Sequence, residues 1–376
     1  MSVQATGTSV DPTSGTSAPP AMCEIGFYTL AGAPRSPRDL LDEVRAGEAM
    51  GLGSAFISER WNVKEAATLS GAAGAVSERL GIATAATNHN TRHPAITASF
   101  ATTMHRLTGG RFTLGLGRGI EPLFDAFGLP RITSAQIEDF VGLMRRLWRG
   151  EAVLGHDGPA GSFPVLHLDS AFDEDIPIGL TAFGPNSLAL SGRLLDMVVL
   201  HTFFTNETTA RAVATVRRAA EEAGRDPGDV RVWSCFATVG DHLPDAVRLK
   251  KTVGRLATYL QGYGDLMVRT NRWDPAVLER FRADAVVQSV GGAIDQVATT
   301  DQLEHIATLL PDDWLAPAAR GSAEACADAV LAQFDLGVDG VIMHGASPDE
   351  LAPIVAAYRA RRPAGRFDGL AANPGA

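Results

Sequence analysis

Cysteine and lysine are scarce in this chain. Three of its 376 residues are cysteines, and Cys23, Cys235 and Cys326 lie far apart. That number and spacing exclude a disulfide framework and a cysteine-rich zinc centre, and fit a reducing cytoplasm. The only lysines are Lys64, Lys250 and Lys251, so the other basic side chains are arginine or histidine. Positive charge is in deficit: 33 Lys and Arg stand against 43 Asp and Glu, a formal net charge of −10. General nucleic-acid binding needs a basic footprint and is not expected. An anionic small ligand is still compatible, because a helix N-terminus binds phosphate whatever the net charge. No run of 18 apolar residues occurs, so no membrane span is expected. A G-x-S-x-G elbow, a Walker loop and a dinucleotide G-x-G-x-x-G are also missing. Gly115, Gly117 and Gly119 are spaced G-x-G-x-G, which fails as that fingerprint. His89 and His93 are four apart, but Pro94 follows them, and this speaks against one metal-binding helix face.

What is present describes a globular α/β protein. Hydrophobic residues make up 45% and charged residues 20%, ordinary values for a folded chain. Residues 1–22 are rich in Ser, Thr, Gly and Pro and are expected to form a disordered tail; residues 363–376 are expected to form a flexible one. Between them, residues 23–362 read as a single domain. Apolar runs of strand length lie at 24–29, 54–58, 81–87, 112–116, 176–181, 197–201, 230–238 and 338–343. Each is followed by helical periodicity. Thr133 with Gln136, and Ser347 with Glu350, carry the capping-box pattern. Ser36-Pro37 with Asp39 opens another helix. Eight β–α units predict a (β/α)8 TIM barrel rather than an open doubly wound sheet. The stretch from 240 to 337 is too long for one connection, and predicts a helical insertion with segments beginning near Leu243, Pro275 and Gln302.

Barrel enzymes build their active sites where strands end. Those ends read Tyr28-Thr29, Ser58-Glu59-Arg60, Thr87-Asn88-His89, Gly117-Arg118-Gly119, Phe183-Gly184-Pro185-Asn186-Ser187, His201-Thr202 and His344-Gly345. Strands end in polar loops anyway, so any single position carries little; their convergence on polar residues and glycine carries more. Gly184 to Ser187 opens a helix directly after a strand, which is either an ordinary N-cap turn or an anion site.

Residues Thr87-Asn88-His89-Asn90-Thr91-Arg92-His93-Pro94 resemble the T-N-x-x-T-R-H-P segment after strand three in bacterial luciferase-like oxidoreductases. The similarity is to the subgroup that uses the deazaflavin coenzyme F420, such as methylenetetrahydromethanopterin reductases and glucose-6-phosphate dehydrogenases of that type. Arg111 through Gly119, Phe183 through Gly192 with Asp196, Gly337 through Val341, and Met50 through Gly53 resemble further segments of the family. The resemblance spans about residues 24–360. It implies a ring lying across the C-terminal mouth, and a bulge with a non-prolyl cis peptide at Ala85-Ala86. The ring would lie against Ala86, Thr87 and Asn88, with Gly117 and Gly119 beside it. The phosphate tail would reach Phe183, Gly184, Pro185, Asn186 and Ser187. A homodimer is implied too. In the sugar-phosphate dehydrogenases an Asp-His pair ends strand two and a Glu follows the strand-four glycines. Here the pair is Glu59-Arg60, and Ile120 stands near the second position with Glu121 one further on. These departures speak against a sugar-phosphate substrate.

The sequence is thus read as a cytoplasmic oxidoreductase moving a hydride between coenzyme F420 and an organic substrate. Glu59, Arg60 and His201 are the expected catalytic residues, with Glu59 also on the ring. His89, Tyr28 and His344 are expected to face substrate. No metal is expected. The rivals are an FMN-dependent monooxygenase on the same fold and a deazaflavin-binding protein without turnover.

Overall fold

The computed structural model describes residues 19, 21–32, 34–60 and 64–376. The expected N-terminal tail lies almost wholly outside the described residues; its last residue, Met22, is buried and opens the first strand. The strands are β1 (Met22–Tyr28), β2 (Leu52–Ile57), β3 (Gly81–Thr84), β4 (Phe112–Leu116), β5 (Val153–Gly158), β6 (Gly161–Leu166), β7 (Ile178–Thr181), β8 (Met197–Val199), β9 (Arg231–Gly240), β10 (Ala318–Gly321) and β11 (Gly340–His344). Eight of them pair in parallel in the circular order β1-β2-β3-β4-β7-β8-β9-β11, and β11 pairs back onto β1. This is the expected TIM barrel.

The strands are apolar on both faces because both are covered. Outside, they pack against the ring of helices. Inside, Phe56, Ala83, Met197, Val199, Trp233 and Ile342 fill the barrel, with the Phe56 and Trp233 rings 4.9 Å apart across it. Glycine is required where β4 meets the end of β3: a Cβ on Gly115 would lie 1.8 Å from the Thr84 carbonyl oxygen. The boxes at Thr133/Gln136 and Ser347/Glu350 both form. The first helix starts at Asp39, one turn past Ser36, whose backbone N–H donates to the Asp39 carboxylate at 3.3 Å.

Four expectations need correction. The third strand ends at Thr84 rather than Thr87, because the chain bulges at residues 85–88. The insertion is not helical throughout 240–337. Its last part forms β10, which pairs in parallel with the upper half of β9, followed by the helix Ala323–Phe334, which packs on β9 and β11 as a regular barrel helix. The helical portion before it has its own core around Leu260, Phe281, Ile306 and Trp314, with Trp273 stacked on Trp314 at 4.4 Å. The antiparallel hairpin β5–β6 was not expected; Asp157-Gly158 and Gly161 were its turn signal.

The C-terminal segment is not a loose tail. Asn373 is buried, its amide donating to the carbonyls of Gly110 at 2.7 Å and Phe112 at 3.0 Å. The Trp233 indole donates to the Pro374 carbonyl at 2.8 Å. The buried Arg231 guanidinium donates to the carbonyls of Asn373 at 3.2 Å and Ala376 at 3.3 Å. These residues close the N-terminal end of the barrel. Sequence composition misread the segment because its small residues and Pro suit a floor of backbone carbonyls as well as a loop.

Candidate active site

The opposite, C-terminal end carries the polar strand ends, and the bulge after β3 forms one side of it. The Ala85–Ala86 peptide is cis, as the resemblance implied. Ladder bonds hold the bulge on both sides: Ala85 N–H donates to Ile57 O at 2.7 Å, Glu59 N–H to Ala86 O at 3.1 Å, and Thr87 N–H to Gly115 O at 3.0 Å. Gly117 presses against it, since a Cβ there would lie 2.8 Å from the Ala86 methyl. The Asn88 amide donates to Gly117 O at 2.9 Å. Ala85 to Asn88 and Gly117 therefore converge on one wall, while Gly119 packs against the Phe124 ring.

Glu59 does not stand free at the mouth. Its carboxylate accepts from Arg92 Nη2 at 2.6 Å and from the Thr87 hydroxyl, and only 3% of its side chain is exposed. Arg92 also donates to Thr87 Oγ1 at 2.7 Å and pairs with Glu65, which caps the helix Ala66–Val76. Glu59 thus ties the bulge to the helix layer. Arg92 was inside the motif that carried the resemblance, but its role emerges only from this network.

The arms of the site lie on either side of this wall. Gly184 is the N-cap of the helix Pro185–Leu194, without a side-chain cap, and a Cβ on it would meet nothing within 4 Å. Arg118, leaving β4, donates to Ser187 Oγ at 3.1 Å, Ile132 O at 2.8 Å and Ser134 Oγ at 2.7 Å. It places a guanidinium beside the first turn, and it too was overlooked. Pro185 and Asn186 are exposed there.

His201 sits in an aromatic box. Ring centroids lie 4.3 Å away for Phe183 and 4.7 Å and 5.8 Å for Tyr259 and Tyr263. Its Nδ1 is 2.9 Å from the Thr202 carbonyl. A carbonyl only accepts, so Nδ1 carries the proton and Nε2 the lone pair. Burial pushes His201 down to about 4, leaving it neutral near pH 7. Tyr28 and His344 meet edge to face at 5.3 Å on the neighbouring strands. Burial, and then the charges of Arg255, His201, Arg60 and Lys64, hold His344 well below the usual histidine range. Arg60 is exposed at the rim, its backbone bridged to Lys64. Lys64 is buried with its ammonium on the Leu30 carbonyl, and burial and then Arg60 push it down to about 7.

His89 is a correction. It is 6% exposed, its ring 5.0 Å from Phe140 of the helix Ser134–Trp148, with Nδ1 buried and unpartnered. Burial and then Arg118 lower it to about 4. The bulge turns it down into the helix layer, so it is packing rather than a substrate contact. Tyr259 and Tyr263 were missed. Their signal was rarity plus spacing: the chain has 4 tyrosines, and these two are one helical turn apart on the insertion. Among the described residues no group of three or more His, Cys, Asp or Glu could hold a metal ion, and no helix they form is long and apolar enough to cross a membrane.

A profile of the luciferase-like monooxygenase family matches residues 21–340. A 5,10-methylenetetrahydromethanopterin reductase from Methanolobus tindarius is 29% identical over 258 residues, covering 66% of this chain and 73% of that one. The coenzyme F420-dependent tetrahydromethanopterin reductase of Methanopyrus kandleri superposes with a TM-score of 0.75 at 19% identity, over 90% of this chain and 99% of that one. An F420-dependent secondary alcohol dehydrogenase in complex with an F420–acetone adduct follows at 0.66 and 18% identity, over 90% and 99%. A monooxygenase solved with FMN shares the fold as well.

Proposed function

The chain belongs to the luciferase-like monooxygenase family, and from that premise we propose that this oxidoreductase uses coenzyme F420 to exchange a hydride with a small organic substrate. The observation that supports it most is the pairing of two features at one mouth. One is the Ala85–Asn88 bulge, flattened by Gly117 and fastened by Glu59 and Arg92. The other is the open Gly184 helix terminus braced by Arg118. The first fits a planar ring against the backbone. The second fits a phosphodiester, because its first N–H groups and the helix dipole face a space that a side chain would fill. The residues present therefore fit the cofactor. Ala85, Ala86, Thr87, Asn88, Gly117 and Gly119 would hold its ring, and Phe183, Gly184, Pro185, Asn186 and Ser187 its phosphate.

A deazaflavin supplies two-electron hydride chemistry and little reaction with oxygen, since carbon stands where a flavin has N5. The chain does the rest. Glu59 positions the bulge through Thr87 and Arg92. His201 Nε2 is the proton-transfer atom. Arg60 supplies positive charge at the rim, where the sugar-phosphate enzymes have their base.

Titration of the purified protein with oxidised F420 and with FMN tests this reading. F420 binding more tightly than FMN supports it. Tighter FMN binding with oxygen uptake replaces it by the monooxygenase reading. F420 binding without turnover of any hydroxyl or carbonyl compound replaces it by a carrier.

A homodimer is part of the same proposal. The helix Pro94–Thr108 exposes Ile96 (59%) and Leu107 (50%) beside the small, apolar helix Ala66–Val76. Sedimentation at micromolar concentration should give a dimer that Leu107→Glu dissociates; a wild-type monomer would refute it.

A further inference from the structure

We infer that the substrate carries a carboxylate remote from its reacting carbon, and that Arg60 and Lys64 receive it together at the rim of the barrel. The inference rests on the reading above and names the substrate class. It starts from backbone geometry. Arg60 N–H donates to Lys64 O at 2.8 Å, and Lys64 N–H to Arg60 O at 2.9 Å. Residues that exchange both bonds across an antiparallel bridge put their side chains on one face, with Cβ atoms about 5 Å apart. Two cations therefore stand side by side where β2 leaves the barrel. Like charges placed directly opposite repel and weaken such a bridge. An anion between them removes that cost.

The second observation is the setting of Lys64. It is 4% exposed, and among the described residues its ammonium meets one acceptor, the Leu30 carbonyl. Leu30 offers that carbonyl from a left-handed turn, at φ 54°. The acids nearby are already engaged. Arg255 holds Asp295 at 2.9 Å, Lys251 holds Glu350 at 2.9 Å, and Arg92 holds Glu59 at 2.6 Å. Glu43 faces Lys64 as well, but its Oε2 is taken by the Leu30 N–H at 2.6 Å. Among the described residues neither Arg60 nor Lys64 forms an ion pair. Two cations against Glu43 leave one positive charge, which a monoanion balances and a phosphate dianion overshoots. A carboxylate also suits the shapes, since a planar guanidinium takes both of its oxygens and an ammonium adds a point charge. Both cations also act inward. Burial, then Arg255, His201, Arg60 and Lys64, hold His344 down; burial raises Tyr259 and Tyr263, and Arg60 opposes that rise. A carboxylate held at the rim therefore leaves the rest of the substrate directed past His344 toward the aromatic box.

Carbon-13 NMR of the lysine-labelled full chain tests this without cofactor. Lys250→Arg and Lys251→Arg identify the Lys64 signal, because the chain has no other lysine. Burial and then Arg60 put the Lys64 midpoint at about 7, with Glu43 opposing the fall and Arg255 adding to it. An anion between the cations favours the ammonium form. Propionate at constant ionic strength should therefore raise the midpoint by about one pH unit, and methyl propionate should leave it in place. Arg60→Gln should raise the midpoint of the free protein and weaken propionate binding about tenfold. A midpoint that ignores propionate, or follows the ester too, overturns the inference, as does a full response in Arg60→Gln. A larger response to inorganic phosphate overturns the carboxylate in favour of a phosphate ester. Propionate should leave F420 binding unchanged; competition between the two gives the site to the cofactor's own anionic groups and overturns the substrate assignment. F420 binding with a silent Lys64 overturns this inference alone. A responsive Lys64 in a protein that does not bind F420 overturns the function proposed above and leaves the anion site standing.

Discussion

The two ends of the barrel are built from the same eight strands and use polar groups in opposite ways. At the floor, the Asn373 amide and the terminal nitrogens of Arg231 donate to backbone carbonyls of the C-terminal segment and the strand starts. These contacts join parts of the chain more than a hundred residues apart. At the mouth, polar groups are held by groups of the surrounding wall and helices. Glu59 is fastened by Arg92, Nδ1 of His201 by a carbonyl, and Arg118 by Ser187. On His201 that contact leaves the lone pair on Nε2. A polar group satisfied by its own fold supports stability; one oriented by the fold but left with a free valence is available for chemistry.

That contrast can be broken from either end. The largest effect is expected where the two halves of the wall touch. Gly115→Ala would drive a methyl into the Thr84 carbonyl, 1.8 Å away. We expect a loss of about 3 kcal/mol or more, read as insoluble protein or a much lower unfolding midpoint. A soluble variant with a wild-type midpoint would show that β3 and β4 can part more easily than their register indicates.

Next comes the floor. Asn373→Ala should cost about 2–4 kcal/mol, since it strands the carbonyls of Gly110 and Phe112 and the Thr113 hydroxyl. Cofactor affinity measured on the same folded sample should not change. A weakened cofactor with unaltered unfolding would reverse the roles given to the two ends.

Acid should act through His89. Its folded pKa is lowered to about 4 from 6.5, by burial and then Arg118. The unfolded chain therefore binds the proton more readily than the folded one. The stability is fully present above pH 6.5 and is lost as pH falls toward 4, at about 1.4 kcal/mol per pH unit. Urea unfolding across pH 7 to 5 should show this slope, and His89→Gln should flatten it. An unchanged slope in that variant would place the titration elsewhere, with His201 and His344 next in line.

The smallest effect belongs to the mouth. Asn186→Asp adds an anion at the exposed first turn after Gly184. It should weaken F420 binding by about 1–2 kcal/mol, roughly tenfold, and leave the fold intact. The phosphate-free deazaflavin core should bind as before. Equal weakening of both ligands, or of neither, would reduce this terminus to a plain helix start.

Much of the barrel was legible in the chain because its cause is local. Eight apolar runs, each followed by 3.6-residue periodicity, suffice to specify parallel strands under helices, and the boxes at Thr133 and Ser347 specify where two helices begin. The glycines and small residues of the cis Ala85–Ala86 bulge were legible through the motif that follows them. What local pattern does not encode is which way a side chain leaves a bulge and what it meets hundreds of residues away. The bulge sends His89 into the helix layer and brings Arg92 onto Glu59. The insertion delivers Tyr259 to His201, and the C-terminal residues turn back under β4. Each of these depends on long-range packing, where a contact is decided by the closure of the whole barrel. The sequence by itself determined the eight barrel strands with the helices that follow them, and the inventory of polar residues at the strand ends. Only the tertiary structure decided which of those residues keep a free valence at the mouth.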